Sequence, residues 1–247
     1  MSKRILSWFN PPSFDAPIVY PRQTPKVVVP SFIGESGQRL NLLMHHGSGD
    51  VVRDYSGFNN HGILDGFTWV DGSFGWALSH KEAVGDLVVV ADSPSLRLST
   101  VAMSVWFKPG NWMGLAYHGD LIYKNGVFPA RPYRIYGGRP GERITFERWR
   151  DDGSSHLMTS IFTAWDITKW YHVVAQQDGV DYWEMYVNGV LDNTKVEAVI
   201  PSLTVGPLKI GASKFNNTIA LPRIYNRMFD QPGVTRHFES TRAIFGV

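Results

Sequence analysis

Trp170-Tyr171-His172-Val173-Val174-Ala175, then Asp178-Gly179, then Tyr182-Trp183-Glu184-Met185-Tyr186-Val187-Asn188-Gly189 is the stretch that decides the fold class. It reads as two antiparallel strands, with a second hairpin opening at Asn188-Gly189. Asn-Gly suits a tight type I′ turn, in which both central residues need positive φ. Side chains alternate along a strand, so Trp183, Met185 and Val187 share one face and Tyr182, Glu184 and Tyr186 the other. The pattern predicts an all-β domain built as a sandwich or barrel.

Working outward, the 247 residues are 43% hydrophobic and 13% aromatic, ample for one all-β domain with a large core. Lys and Arg number 24 against 22 Asp and Glu, for a net charge of +2. No basic run stands out, so nucleic acid is not an expected partner. Cysteine is absent, which removes disulfides, thiolate metal sites and cysteine catalysis. Met1-Ser2-Lys3-Arg4-Ile5-Leu6-Ser7-Trp8-Phe9-Asn10-Pro11-Pro12 has no apolar run of signal-peptide length, and no stretch reads as a membrane span. Localisation is open: a virion surface, or an extracellular site reached by a non-classical route, is compatible with this start.

Residues 1–38 form a segment of their own. Six of the fifteen prolines fall here, Pro11, Pro12, Pro17, Pro21, Pro25 and Pro30, which predicts an extended arm rather than a helix. Trp8, Phe9, Phe14, Ile18 and Tyr20 lie between them, too many large apolar groups for a solvated linker. Such an arm lies against its own domain or against a neighbouring subunit. From 39 to 247 the texture is β, with strands expected at 40–44, 87–90, 101–108, 121–124, 133–136, 143–149, 157–162, 171–177, 182–187, 208–210 and 219–225. Each has one apolar and one mixed face, as two packed antiparallel sheets require. A short helix is expected at 231–242, with Asp230 as cap and Pro232 in its first turn.

With these segments in view, the chain resembles the laminin-G-like, concanavalin-A-like jelly-roll superfamily. The similarity is collinear over roughly 39–240. It runs through Gly47-Ser48-Gly49 with Asp54-Tyr55-Ser56-Gly57-Phe58-Asn59-Asn60-His61-Gly62, then Phe74-Gly75-Trp76-Ala77-Leu78-Ser79 and Asp92-Ser93-Pro94-Ser95-Leu96. It continues through 101–109, the Trp170 strand with Tyr186-Val187-Asn188-Gly189, and Arg223-Ile224-Tyr225-Asn226-Arg227. The resemblance implies a two-sheet antiparallel jelly-roll β-sandwich preceded by the Pro-rich arm. Many relatives bind calcium, which takes several oxygen ligands, usually including carboxylates. Here His45, His46, Ala220, Leu221 and Pro222 stand where such relatives are often acidic. No cofactor is therefore expected, and the calcium motif is degraded.

Glycoside hydrolases on this fold need two carboxylates flanking the scissile bond. No Glu-x-Asp-x-Glu run is present, and Glu147 and Glu184 each stand alone on a strand. His45 and His46 are strand neighbours and point to opposite faces, which is poor geometry for one metal. His172 reads as a packed, hydrogen-bonded core histidine. Sugar binding needs flat aromatics beside planar polar groups, and the candidates are Trp112, Tyr117, Arg143, Glu147, Trp149 and Trp165. Trp149 shares a strand face with Arg143, Thr145 and Glu147. The stretch 110–140, with Trp112, Tyr117, His118, Phe128, Arg131, Tyr133, Tyr136 and Arg139, has the Tyr, Arg and Gly make-up of a contact surface. Ordinary rim and loop packing accounts for the same residues equally well.

The expected function is a non-catalytic binding or structural module of a larger assembly. Examples are a capsid decoration or attachment protein and a surface-layer component. The partners would be protein subunits met by the arm. A glycan-binding lectin is the alternative, and a glycoside hydrolase is the reading the residues least favour. Fold alone does not choose among these.

Overall fold

The computed structural model describes residues 34–44, 47–66, 68–72, 75–79, 87–110, 119–126, 131–138, 143–211 and 217–247. Its strands are β1 (Gln38–Asn41), β2 (Val51–Val52), β3 (Gly62–Asp65), β4 (Thr68–Gly72), β5 (Gly75–Ser79), β6 (Leu87–Val90), β7 (Val101–Lys108) and β8 (Gly119–Lys124). They continue as β9 (Tyr133–Gly138), β10 (Arg143–Trp149), β11 (Ser155–Thr159), β12 (Tyr171–Gln177), β13 (Tyr182–Val187), β14 (Val190–Val196), β15 (Leu208–Ile210) and β16 (Thr218–Tyr225). A helix, α1 (Gln231–Phe245), closes the chain.

Two antiparallel sheets result. Sheet 1 runs β14-β13-β12-β7-β16-β5-β4, with β1 also on β16; sheet 2 runs β11-β10-β9-β8-β15-β6-β3-β2. β5 pairs with the start of β16 and β1 with its end. The register breaks between them, around Leu221 at φ 47° and Pro222. The deciding hairpins form as read. Asn188 and Gly189 sit at φ 50° and 78°, both positive, as a type I′ turn requires.

Between the sheets, Met103, Val105, Phe107, Val173, Trp183 and Met185 meet Ile122, Tyr133, Ile135, Ile144, Phe146 and Leu208. Trp183 and Phe146 pack across the gap with ring centroids 5.0 Å apart. Arg148 is fully buried on the same inward side as Ile144 and Phe146. Its guanidinium donates to the carbonyls of Pro132, Leu98 and Ser99 and, at 3.0 Å, to Gln177 Oε1 on sheet 1. Those acceptors replace the water that a buried cation would otherwise lose.

The outer face of sheet 1 is covered by α1. Asp230 caps the helix by accepting from Gly233 N at 2.9 Å, and Gly246, at φ 69°, ends it. The helix runs one turn past the expected 231–242. Trp106 stacks on Phe245 at 4.2 Å, and its Nε1 donates to Thr241 Oγ1. His172, 1% exposed beneath the helix, shares a 2.8 Å hydrogen bond with Ser104 Oγ. Burial holds its imidazole well below the usual histidine range, and the neighbouring His237 and Arg223 push the same way.

The Asp54–Gly62 element is a loop built on one carboxylate. Asp54 accepts from Asn41 N, Ser56 N, Ser56 Oγ and Asn60 N at 2.7–3.0 Å. A Cβ on Gly62 would lie 2.3 Å from Val88 Cγ1, so β3 reaches β6 only with glycine there.

The expected set of strands omits β2, β3, β4, β5 and β14. The first four are short. β14 is a sheet edge, exposed or half-buried along its length, and has no apolar alternation to read. Gln38, the last residue of the segment read as an arm, already belongs to β1. Glu35 reaches His237 and Tyr225, so 34–38 are tied to the sandwich. Trp8, Phe9, Phe14, Ile18 and Tyr20 lie outside the described residues.

Candidate binding site

The outer face of sheet 2 gathers polar and aromatic side chains. Strand register sets a row across it: Leu157, Glu147, Arg134, Tyr123, Lys209 and Val89 are paired neighbours from β11 to β6. One step along lies Thr159, Thr145, Tyr136 and Asp120. These face outward because Ile144, Phe146, Tyr133 and Ile135 alternate with them into the core. A bulge between Asp120 and Ile122 inserts Leu121 and keeps Asp120 on the same face as Tyr123.

The site has a sealed base and an open upper layer. In the base, Arg134 Nε pairs with Asp120 Oδ1 and its Nη1 lies 3.5 Å from Glu147 Oε2. All three residues are under a tenth exposed. Arg134 also stacks on Tyr136, 4.2 Å from its ring centroid. Burial pushes the Asp120 carboxyl up to about 6, against the opposing pull of Arg134. Burial likewise raises the Tyr123 and Tyr136 phenols, keeping them neutral hydrogen-bonding groups at neutral pH.

Above the base, Arg131 spans two half-exposed rings. Its guanidinium lies 5.2 Å from the Trp149 ring and 5.9 Å from Tyr123. The buried Trp149 Nε1 has no hydrogen-bond partner among the described residues. A flat indole, a planar guanidinium and a phenol on one surface can take a sugar ring by stacking and by hydrogen bonds to hydroxyls. Both carboxylates face the guanidinium between them, Asp120 through a hydrogen bond and Glu147 as an ion pair.

Of the sequence candidates, Glu147 and Trp149 join this face. Arg143 starts the same strand, and its Nη1 donates to Ser160 O at 2.7 Å. Trp165 requires correction as a surface aromatic. It is 4% exposed, in the inter-sheet core against Phe107, Phe162 and Tyr171. Trp112 and Tyr117 lie outside the described residues, as do His45 and His46. Asp120, Tyr123 and Arg134 are the members that sequence reading missed. Their signal is Asp and Tyr in β8 and Arg in β9, each alternating with core residues. Among the described residues no three His, Asp or Glu side chains come together as a metal site. Ala220 and Leu221 are buried apolar residues. No helix of the described residues is long and apolar enough to cross a membrane.

The fold and this face define a laminin-G-like β-sandwich. The chain belongs to the concanavalin A-like lectin/glucanases superfamily, whose laminin G family model matches residues 82–235. No curated protein sequence matches the chain significantly. Similar solved structures include the binding domain of Paraclostridial Mosquitocidal Protein 1, with a TM-score of 0.68 and 16% identity over 83% of this chain and 52% of that one. The binding domain of botulinum neurotoxin DC, in complex with rat synaptotagmin II, gives 0.66 and 17% over 83% and 51%. Botulinum neurotoxin type C, whose cell entry depends on interaction with two ganglioside molecules, gives 0.66 and 18% over 83% and 51%. The chain thus spans about half the length of these structures, and at such identity the likeness is one of fold.

Proposed function

We propose that this chain is a non-catalytic binding module that takes a glycan on the outer face of sheet 2. The observation that carries the reading is the open Trp149–Arg131–Tyr123 layer, set on a base whose carboxylates are occupied by Arg134. The stack gives affinity for a sugar face, and the engaged acids argue against hydrolysis. The fold likeness to toxin domains that bind a protein or gangliosides supports a binding role without naming the ligand. Glycan-array screening followed by titration calorimetry on the full chain tests it. Trp149→Ala should lower affinity for the selected glycan at least tenfold while leaving the melting temperature nearly unchanged. No glycan bound at millimolar concentration, or a Trp149→Ala protein that binds as well as the parent, would overturn the reading.

A second reading, that the module works within a larger assembly such as a virion, capsid decoration or surface layer, rests on the apolar Pro-rich segment 1–38. Trp8, Phe9, Phe14, Ile18 and Tyr20 would anchor on a neighbouring subunit, as an extended segment does when it adds to a sheet edge. Removal of residues 1–30 should then abolish self-association or particle binding. A truncated chain that is folded and assembles as before would sink this reading.

A further inference from the structure

A second surface has its own chemistry. An open groove of about 580 Å³ lies where the end of β16, β1, the Asp54–Gly62 loop and the Ser93–Leu98 turn meet. Its walls include Arg39, Phe58, Ser93, Ser95, Arg97 and Asn226, with no carboxylate among its lining residues. The volume falls in the ordinary range for small-ligand sites.

Each polar group there has donor capacity left over. The Arg39 guanidinium lies 4.5 Å over the Phe58 ring. With the Asn226 amide turned so that its nitrogen donates to Gly37 O, its oxygen accepts from Arg39 Nη2 at 2.6 Å. That contact fixes the arginine's pose without neutralising it, and Arg39 pairs with no carboxylate among the described residues. Arg97 is bound to Asp92 through Nη2 only. Asp92 also accepts from the buried Lys124 Nζ at 2.6 Å and from Gly206 N at 3.1 Å, so one carboxylate answers two cations. Desolvation pushes the Asp92 carboxyl up, but the Arg97 and Lys124 cations and the Gly206 amide that donate to it hold it far below the usual range.

The serines add a neutral donor. Ser93 Oγ and Ser95 Oγ are 2.8 Å apart. Ser93 Oγ also accepts from Ser95 N, and Ser95 Oγ accepts from Asn60 Nδ2. Two hydroxyl hydrogens are present and one fills the contact between the oxygens. Whichever serine donates, the other hydrogen has no acceptor among the described residues and can serve a ligand. Phe58, 42% exposed, contributes a ring that the arginine leaves partly open.

We infer that this groove binds a carboxylate-bearing sugar, of the uronic acid class. The carboxylate would meet Arg39 and Arg97, whose forked donors suit it. The sugar ring would lie along Phe58, and a ring hydroxyl would accept the spare serine hydrogen. An acidic peptide fits less well, because the groove presents one ring and no row of apolar pockets. This site is separate from the sheet 2 face and does not depend on the reading given to that face.

The experiment is an amide NMR titration of the full chain with sodium glucuronate, glucose and sodium sulfate at matched ionic strength. Glucuronate should shift resonances of Phe58, Ser93, Ser95 and Arg97 in a saturable way, while glucose and sulfate each bind at least tenfold more weakly. Arg39→Gln and Phe58→Ala should each weaken glucuronate at least fivefold. Arg39→Lys, which keeps charge but loses the fork, should fall between, and Trp149→Ala should change nothing here. No saturable shift in the groove would overturn the inference. So would equal binding of glucose, equal binding of sulfate, or full binding by a folded Arg39→Gln protein.

Discussion

Asp120 and Glu147 reach the same guanidinium from the two strands that flank it. Asp120 sits on β8, Glu147 on β10, and Arg134 on β9 between them. One cation thus holds two acids on a sheet face where all three are nearly sealed. The cluster is an electrostatic base for the aromatic layer above it, and its balance depends on the protonation of Asp120.

That balance gives a pH signature. Asp120 has its folded pKa raised from 3.8 to about 6, because burial disfavours the charge more than Arg134 favours it. The folded state therefore holds this proton more tightly than the unfolded state. Its contribution to stability is full below about pH 4, declines as pH rises toward 6 and is gone above that, at most about 3 kcal/mol in all. Asp92 and Glu35, both lowered, act in the opposite sense, so the whole protein's curve mixes the terms. The difference between parent and Asp120→Asn isolates one group. Urea unfolding at pH 4, 5, 6 and 7 should show the parent losing stability relative to the variant as pH rises. Parallel curves would mean that Asp120 is an ordinary carboxyl.

Arg148 yields the sharpest stability prediction. It is buried between the sheets with carbonyls and Gln177 as acceptors and, among the described residues, no carboxylate partner. Arg148→Ala leaves these acceptors unpaired and opens a cavity, and should cost about 3–5 kcal/mol in chemical unfolding. Arg148→Lys cannot reproduce the fork and should recover less than half of the loss. A loss under about 1 kcal/mol for the alanine variant would show that water satisfies these groups instead.

Arg148 also marks the limit of what the chain discloses on its own. The hairpins through Trp183 and Asn188-Gly189 were legible because apolar alternation and a positive-φ turn agree there, and the helix because Asp230 and Pro232 mark its start. In β10, Ile144, Phe146 and Arg148 share the inward side, and no pattern rule puts an arginine in a core. Asp120 and Glu147 converge through a bulge and a three-strand register, both properties of pairing rather than of local sequence. Trp165 shows the reverse: composition marks it as an aromatic that could serve a surface or a core, and only the packing of Phe107, Phe162 and Tyr171 around it chooses the core.

Asp54 is expected to be a structural rather than a ligand-binding acid. Its carboxylate closes the loop that carries Phe58 by accepting from three backbone amides and the Ser56 hydroxyl. Asp54→Ala should destabilise the domain by about 2–4 kcal/mol, since several buried donors lose a charged acceptor at once. Asp54→Asn, which keeps one acceptor oxygen, should lose less. Amide hydrogen exchange at Ser56 and Asn60 should accelerate in both variants. Unchanged protection at these two amides would show that the loop holds without the carboxylate.

The helix gives the last prediction. Trp106 is fully buried, although its side chain leaves sheet 1 on the face away from the inter-sheet core. Phe245 stacks on it at 4.2 Å and also meets Trp170 at 4.8 Å, while Thr241 takes the indole hydrogen. α1 therefore acts as a third layer whose last turn seals that face. Phe245→Ala should cost about 3 kcal/mol, in the range for removing a buried aromatic side chain. It should also raise hydrogen exchange in the last turn of the helix before the sheets are affected, because terminal helices open locally. Trp106 fluorescence should shift to the red as water enters. A variant with parent stability and unshifted emission would mean that the helix merely rests on the sheet, and that Trp106 is buried by its strand neighbours instead.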